Sequence, residues 1–317
     1  MRIPRPLLKA ILLLLGALVT ATGIAAEKNV LVLLSKEQAE YQEVAGSLRQ
    51  TLSQLSGQSI EVHIAALPDG ARRLDDGTHP PPDMIVTVGT QAARLTALQR
   101  TSVPVLHTLL PRQAYLELVR DRSHDRTRRH TAIYLDQPLR RQLNLIGFAL
   151  PEHTRVAAIL GPATMALETD LATAARDRDL RLQTGHLSEP QELIPLLRDL
   201  LENSDVLLSL PDPLVFNSGT IHHLLVATYH QKIPVIGFSR AFVEAGALLA
   251  VYSTPAQTGR QAAEIVQQVL RTPVRALPPP QYPKYFAIAV NRRVAASLGL
   301  EVPDEQTLLN RLLGHSE

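Results

Sequence analysis

The sequence predicts an α/β protein made of two doubly wound parallel-sheet lobes joined by a hinge. Short apolar runs typical of buried strands alternate with helical patterns along most of the chain, and this alternation favours parallel sheets with right-handed crossovers. Once an N-terminal export segment is set aside, about 290 of the 317 residues remain, which at roughly 100 to 200 residues per domain predicts two domains. Apolar residues make up 45% of the chain, which is enough for two packed cores.

The first half of the chain contains four predicted strands. Residues 29–34 form a continuous apolar run of the kind found in parallel strands, and residues 38–55 follow with helical spacing. Further strands are predicted at 59–65, 83–88 and 103–109, and further helices at 90–98 and 112–119. The segment 68–82 is rich in Gly and Pro and is predicted to be a loop.

A second series of strands and helices begins with a short extended segment at 132–135. Its predicted strands are 156–160, 180–186, 205–210 and 234–238, and its predicted helices are 137–149, 163–176, 189–202 and 215–230. Towards the C-terminus, residues 233–270 indicate a buried strand, a short helical turn, an alternating strand and a long amphipathic helix. A Pro-rich link at 273–283 then leads into a strand at 286–290 and a helix at 292–298.

The N-terminus has the layout of a cleaved secretory signal peptide covering residues 1–26. Basic residues precede an apolar run at 10–19, and the small-residue segment 21–26 offers cleavage after Ala25 or Ala26. The apolar run is shorter than the about 20 residues that a membrane-spanning helix needs. An uncleaved N-terminal anchor is the alternative interpretation.

The absence of cysteine and the small net charge limit the class of protein. With Cys 0, no thiol can carry a lipid anchor, and neither a disulfide nor a cysteine-ligated metal site can form. We therefore expect a soluble protein in the periplasm of a two-membrane bacterium. The formal net charge of +2 does not suggest a nucleic-acid binder, and the basic segment 120–130 contains Asp121 and Asp125 and is predicted to be a solvated loop.

Candidate ligand-binding residues lie where the predicted strands end, because ligands of parallel α/β sheets bind outside the carboxyl ends of the strands. These residues are Ser35, Gly89, Thr90, His107, Thr108, Gly161, Asp212, Phe238 and Ser239, with Tyr134 and Tyr252 near the expected interlobe crossings. The Gly and hydroxyl residues among them would present backbone N–H groups and helix N-termini that suit a carboxylate or another anion. The aromatic members either stack on a ligand or pack in the core.

Two of these positions have competing interpretations. Gly89 and Thr90 either cap the next helix or receive an anionic ligand group, and both interpretations can hold together. Asp212 lies between Pro211 and Pro213 and is expected to be exposed at the mouth of the cleft. Its carboxylate is then either a solvated turn residue or the partner of a ligand amine.

Motifs of catalysis and of metal binding are missing from the sequence. It contains no G-x-S-x-G nucleophile elbow, no Walker A loop and no G-x-G-x-x-G opening the first helix. His222 and His223 are adjacent and do not have the spacing of a helical His-x-x-x-His metal pair. We therefore predict no catalytic residue, no metal and no cofactor.

Several segments occur in the order seen in one family of proteins. They are DMIVTVGTQAA, VPVLHTLLP, VAAILGPAT, DVLLSLPDP, KIPVIGFSRAFVEAGAL, TGRQAAEIVQQVL and YFAIAVNRRVAASLGL. Through them the chain resembles the periplasmic substrate-binding proteins of ABC importers, which have the type I periplasmic-binding-protein fold. The branch it resembles is the uncharacterised ABC transporter substrate-binding family, which includes aromatic-amino-acid binders.

This resemblance implies a function, a partner and a division into lobes. The function is that of a monomeric receptor, without catalytic activity, that captures a small organic ligand such as an amino acid or related carboxylate and delivers it to an ABC permease in the inner membrane. Residues 27–133 with 254–317 would form the first lobe and residues 134–253 the second, with the last strand and helix returning to the first lobe. A periplasmic sensor or regulatory protein of the same fold is the alternative, and a hydrolase or transferase of doubly wound fold is a third class.

Overall fold

The computed structural model describes residues 28–55, 59–75, 81–99, 101–120, 129–272 and 276–315. The predicted signal peptide and nearly all of the basic segment 120–130 lie outside these residues. The strands are β1 (Lys28–Leu34), β2 (Ile60–Ala66), β3 (Met84–Val88), β4 (Val105–Leu110), β5 (His130–Tyr134), β6 (Arg155–Leu160), β7 (Arg181–His186), β8 (Val206–Leu208), β9 (Val235–Gly237), β10 (Leu249–Tyr252) and β11 (Ala287–Val290).

The helices alternate with these strands. They are α1 (Ala39–Leu55), α2 (Asp69–Asp75), α3 (Thr90–Leu98), α4 (Arg112–Arg120), α5 (Leu139–Ala149), α6 (Glu168–Arg176), α7 (Leu193–Leu201), α8 (Ile221–His230), α9 (Arg240–Ala245), α10 (Pro255–Arg271), α11 (Arg292–Leu298) and α12 (Glu305–Leu313). In the described part of the chain, none of these helices is both long and apolar enough to cross a membrane.

The strands form two sheets with the same internal order, which confirms the prediction of two similar α/β lobes. The first sheet has the order β2-β1-β3-β4-β5, and all its pairs are parallel. The second has the order β7-β6-β8-β9-β10, extended by the antiparallel strand β11. In each lobe the first strand lies between the second and the third, so the strand order reverses there. Such a switch point is where open α/β sheets bind ligands.

Helix α10 packs against the first sheet. Its apolar face joins the core that β1, β3 and α1 form, and it begins at a capping box of Thr254 and Gln257 with Pro255 at its first position. The helix packs closely on α1 because position 259 is glycine. A Cβ atom there would lie 2.3 Å from the carbonyl oxygen of Val44.

The expected return of the last strand to the first lobe is wrong. Strand β11 pairs with β10 of the second sheet, with Leu249 opposite Val290. The apolar side chains of Ile288, Leu308 and Leu312 lie in the core of the second lobe. Residues from β11 onward therefore extend the second lobe, because this is where their apolar faces are buried.

Local differences from the predicted elements have identifiable causes. The segment 68–82 contains the short helix α2, so it is not wholly a loop. Helix α8 begins at Ile221, six residues after the predicted start at 215. The intervening residues form a turn in which the side chain of Asn217 accepts from the backbone N–H of Gly219 and donates to the carbonyl of Pro213.

Three connections cross between the lobes, and hydrogen bonds join these connections to one another. They lie between β5 and α5, between β10 and α10, and between α10 and β11. The Gln137 Nε2 donates to Ser253 Oγ over 2.9 Å, and Ser253 Oγ donates to the carbonyl oxygen of Tyr285 over 2.7 Å. Buried Arg141 donates from Nη1 to the carbonyl oxygen of Pro283 over 3.0 Å.

Candidate functional site

A cavity of about 280 Å³ lies between the two lobes at the carboxyl ends of their strands. The first lobe and the crossings contribute mainly polar and charged residues, and the second lobe contributes mainly apolar ones. The polar group includes Thr90, Arg94, Arg112, Glu117, Asp136 and Tyr282, and the second-lobe group includes Leu139, Gln142, Thr164, Leu167 and Leu210. Of the eleven residues predicted to bind a ligand, only Thr90 lines this cavity.

Asp136 and Arg112 place opposite charges in one wall of the cavity. One carboxylate oxygen of Asp136 accepts a hydrogen bond from the backbone N–H of Arg112 over 2.5 Å. Burial raises the pKa of Asp136, and the hydrogen bond and positive charge of Arg112 partly oppose that rise. Neither side chain forms a salt bridge with another described residue. Both residues line the cavity.

Gln142, which lines the same cavity, has a buried acceptor without a partner among the described residues. Its side chain is 4% exposed, and its Nε2 donates to the backbone carbonyl of Gln137 over 3.1 Å. Its Oε1 is buried and has no hydrogen-bond partner among the described residues. An unpaired buried acceptor is uncommon in folded proteins and calls for an explanation.

At the switch point of the first lobe, Ser35 and Gly89 have structural roles. Ser35 Oγ accepts from the backbone N–H of Ala92 over 2.9 Å and donates to the carbonyl of Val88, so Ser35 caps helix α3 from the neighbouring strand. Gly89 is the N-cap residue and has φ 89°, a conformation that favours glycine. A Cβ atom at Gly89 would lie 2.7 Å from Ser35 Oγ. Thr90 is therefore the first helical residue and not the cap.

At the switch point of the second lobe, Asp212 is buried, and the expectation that it is exposed is wrong. It is 1% exposed. Its Oδ2 accepts from the backbone N–H groups of Ala163 and Thr164 over 2.9 and 3.1 Å, and from Thr164 Oγ1 over 3.0 Å. Its Oδ1 accepts from the backbone N–H of Leu214 over 2.9 Å. The carboxylate lies over Gly161, where a Cβ atom would be 2.4 Å from Oδ1.

His107 and Thr108 are fully buried within the first lobe and do not line the cavity. His107 Nδ1 lies 2.8 Å from the hydroxyl of Thr87, and its Nε2 lies 3.0 Å from Nδ1 of His130, on which its ring is stacked. Thr108 Oγ1 donates to the carbonyl of Thr87. Strand β4 continues past both residues to Leu110, so they lie within the strand and not after its carboxyl end.

The remaining predicted residues pack in the lobes and do not line the cavity. Tyr134 is 9% exposed and meets Tyr282 edge-on with ring centroids 5.2 Å apart. Phe238 packs against two other phenylalanines of the second lobe, and Tyr252 packs against the same core. Ser239 caps helix α9 through its side-chain oxygen.

Arg112, Asp136, Gln142 and Tyr282 are among the cavity residues that the sequence analysis missed. Arg112 and Asp136 each lie two residues after the end of a strand, β4 and β5 respectively. They are within reach of the strand-end rule, but the sequence analysis selected His107, Thr108 and Tyr134, which lie inside these strands. The register of β4 against β5 shifts between His107 and Leu110, and an apolar run does not show such a shift. Gln142 and Tyr282 follow no strand end, and nothing in the sequence marked them.

Metal ions in proteins are held by convergent His, Cys, Asp or Glu side chains. Among the residues that the structure describes, no three His, Asp or Glu side chains converge in that way.

Two lobes with the same strand order, three crossings and a cavity between the lobes are the architecture of a two-lobed solute-binding protein. Residues 71–310, more than half of the chain, match the family model described as ABC transporter substrate binding protein. The chain belongs to this family, whose members bind small ligands for ABC permeases. No functionally characterised protein matched the sequence significantly.

Similar solved structures show the type I periplasmic-binding-protein fold. A conserved domain protein from Vibrio cholerae has 21% identity and a TM-score of 0.61, with 90% of this chain and 98% of that chain covered. An ABC domain from Streptococcus pneumoniae in complex with L-Trp has 16% identity and a TM-score of 0.61, with the same coverage. A substrate-binding protein with adhesive properties from Clostridium difficile, solved in a ligand-free, open form, has 16% identity and a TM-score of 0.68, with 88% and 97% covered.

Proposed function

We propose that the protein is a periplasmic receptor that captures a small organic solute between its lobes and delivers it to an ABC permease in the inner membrane. The observation that carries this proposal is the interlobe cavity, which both lobes line at the carboxyl ends of their strands. Family membership supports the transport role. The proposed receptor is monomeric and has no catalytic activity, and no observation favours the sensor alternative.

The proposed ligand is an amino acid or a related carboxylate. The volume of about 280 Å³ lies at the lower end of the roughly 300 to 1,000 Å³ of typical ligand pockets, which favours a small solute. The guanidinium of Arg112 is suited to a carboxylate, since Arg and carboxylate groups pair through two parallel hydrogen bonds. Leu139, Leu167 and Leu210 offer the opposite wall to an apolar part of the ligand.

A thermal-shift screen of metabolites on the mature chain tests this function. A ligand present at 100 times its Kd adds about 2.7 kcal/mol to the free energy of unfolding, which raises Tm by roughly 5 °C for a chain of this size. Arg112→Gln should weaken binding of a carboxylate hit by about tenfold, because it removes a charge-assisted hydrogen bond. The exposed Arg198→Gln on α7 is the matched control and should leave affinity unchanged.

Two further results bear on the receptor function. Mass spectrometry of periplasmic extract should find an N-terminus at Ala26 or Glu27, as the signal-peptide prediction requires. The receptor function would be wrong if no compound of an amino-acid and carboxylate library raised Tm and calorimetry with the same compounds gave no heat of binding.

A further inference from the structure

A groove of about 550 Å³ lies on the second lobe, and none of its described lining residues lines the interlobe cavity. Its floor is β11, the outermost strand of the second sheet, and its sides are α9 and the first residue of α12. Ile288 and Val290 pack on one face of this strand and Ala289 packs on the other. Because all three line the groove, the groove runs along the free edge of the sheet.

The backbone of β11 has unpaired hydrogen-bonding groups at this edge. The strand pairs antiparallel with β10, and the backbone N–H of Asn291 donates to the carbonyl of Leu248 over 2.7 Å. Bonded pairs alternate along an antiparallel ladder, so Ala289 bonds to β10, whereas the N–H and C=O groups of Ile288 and Val290 point away from it. Within the described part of the chain, these four groups have no other hydrogen-bond partner.

The lining of the groove carries an excess of positive charge. Its described residues include three arginines and two glutamates. Arg240 pairs with Glu244 over 3.0 Å, and Arg292 pairs with Glu305 over 3.3 Å. Arg293 is exposed and forms no salt bridge with a described residue. An acidic side chain placed at this end of the groove would therefore meet an uncompensated charge.

We propose that β11 is a docking edge for an extended segment of a partner protein, which adds a seventh strand to the second sheet and carries an acidic side chain at the Arg293 end. Main-chain hydrogen bonds to Ile288 and Val290 provide affinity, as in other cases of strand addition. Arg293 selects the acidic residue through a charge-assisted hydrogen bond. The docking edge goes beyond the proposed receptor function and does not depend on it.

A second copy of the chain fits this edge less well. If Ile288 lay opposite Val290 of an antiparallel β11 from another copy, Arg293 would lie opposite Tyr285 and beside Lys284. Like charges on opposite strands destabilise the pairing. The charges of the groove thus favour an acidic segment of a different protein.

NMR titration of the mature chain with two synthetic peptides tests the docking edge. Both peptides are capped and have seven residues, with alternating Thr and Val in the middle, and one has Asp at both ends where the other has Lys. The acidic peptide should shift the amide resonances of Ile288 and Val290 and slow their hydrogen exchange. It should bind about fivefold more tightly than the basic peptide, the size expected of exposed charge pairs. Arg293→Glu should reverse this preference, and the matched control Arg198→Glu on α7 should preserve it.

Methylation of the peptide nitrogens tests the main-chain pairing without any change to the protein. Two versions of the acidic peptide are methylated at alternate residues, one at the even and one at the odd positions. One version should bind at least fivefold more weakly and the other should change less than twofold, because only alternate N–H groups face the partner strand. Equal effects of the two versions would contradict strand addition.

Other outcomes would also overturn the proposal. If neither peptide shifts the amides of Ile288 and Val290, β11 is a protected edge, kept from pairing by its short length and its charged flanks. Equal binding of the acidic and basic peptides would overturn the selection of an acidic partner. A dimer in sedimentation that protects the same two amides without peptide would identify a second copy as the occupant. The receptor function is judged separately, because it is measured by ligand binding in the other cavity.

Discussion

The carboxylate of Asp212 accepts four hydrogen bonds at the switch point of the second lobe. Three come from Ala163 and Thr164 in the loop after β6, and one comes from Leu214 in the same turn as Asp212. Backbone N–H groups in such a loop are a common place for a ligand anion. Here the chain supplies the anion itself. In the first lobe, the hydroxyl oxygen of Ser35 likewise accepts a hydrogen bond from a backbone N–H group at the start of α3, that of Ala92. At both switch points, side chains of the protein therefore accept hydrogen bonds from backbone N–H groups that a ligand could otherwise use. The cavity is lined by neighbouring residues.

Asp212→Ala should destabilise the protein, since the buried donors of Ala163 and Thr164 would lose their acceptor. We expect a loss of about 3 kcal/mol in the free energy of unfolding, measured by urea denaturation, because each buried donor left unpaired costs about 1 to 3 kcal/mol. Asp199→Ala, at an exposed position, is the control and should change stability by less than about 0.5 kcal/mol. Unchanged stability together with lost ligand binding would instead favour the original interpretation of Asp212 as a ligand partner.

The carboxyl group of Asp136 should make the stability of the folded protein depend on pH. Burial raises the pKa of Asp136 in the folded state, so the folded protein binds the carboxyl proton more tightly than the unfolded chain does. Stability therefore falls as pH rises from the ordinary carboxyl range through the raised pKa, and it stays lower above it. Asp136→Asn keeps an acceptor for the Arg112 N–H and removes the buried charge.

The Tm of Asp136→Asn should accordingly exceed that of the wild type at pH 7.5, and the difference should shrink as pH falls towards 4. Differential scanning fluorimetry across this range measures both proteins. A Tm difference that is constant with pH would show that ionisation of Asp136 has no part in the effect.

At the scale of elements, the contact between α1 and α10 joins the long C-terminal helix to the first lobe. The contact depends on Gly259, where a Cβ atom would meet the Val44 carbonyl oxygen at 2.3 Å and Ser47 Cβ at 2.8 Å. Because the nearest of these is a backbone atom, the helices would have to move apart to admit a side chain. The exposed Gly147 of α5 has nothing within 4 Å of the same position.

The two glycines predict opposite effects of the same substitution. Gly259→Ala should lower the free energy of unfolding by about 1 to 3 kcal/mol, because it overpacks the helix contact. Gly147→Ala should raise it by about 0.5 to 1 kcal/mol, because alanine favours a helix interior. Chemical denaturation of both variants measures the difference, and stabilisation by Gly259→Ala would contradict the close packing of α1 on α10.

At the scale of the whole molecule, the three crossings define where the lobes would move. Hydrogen bonds through Ser253 connect the crossings, and Tyr134 N–H donates to the carbonyl of Gln281 over 2.9 Å. Short connections between two packed lobes are typical of hinges, in which a few residues absorb the change in backbone angles. We expect the lobes to close as rigid bodies about crossings near Tyr134, Ser253 and Pro280.

Small-angle scattering tests this closure. The radius of gyration should fall when the protein is saturated with a ligand identified by screening, since closing the cleft brings the lobes together. The same protein with a compound that does not bind in calorimetry is the control and should keep its radius. An unchanged radius with tight binding would contradict hinge closure.

The sequence by itself determined the class of fold, the two lobes and most helices and strands, because the alternation of apolar runs and helical spacing is local along the chain. Motifs such as DVLLSLPDP and KIPVIGFSRAFVEAGAL also led to the family. Only the tertiary structure decided that β11 joins the second sheet, that Asp212 turns inward, and that Arg112, Asp136 and Gln142 line one cavity. These outcomes depend on which distant segments of the chain pack together, and periodicity within one segment carries no information about that packing.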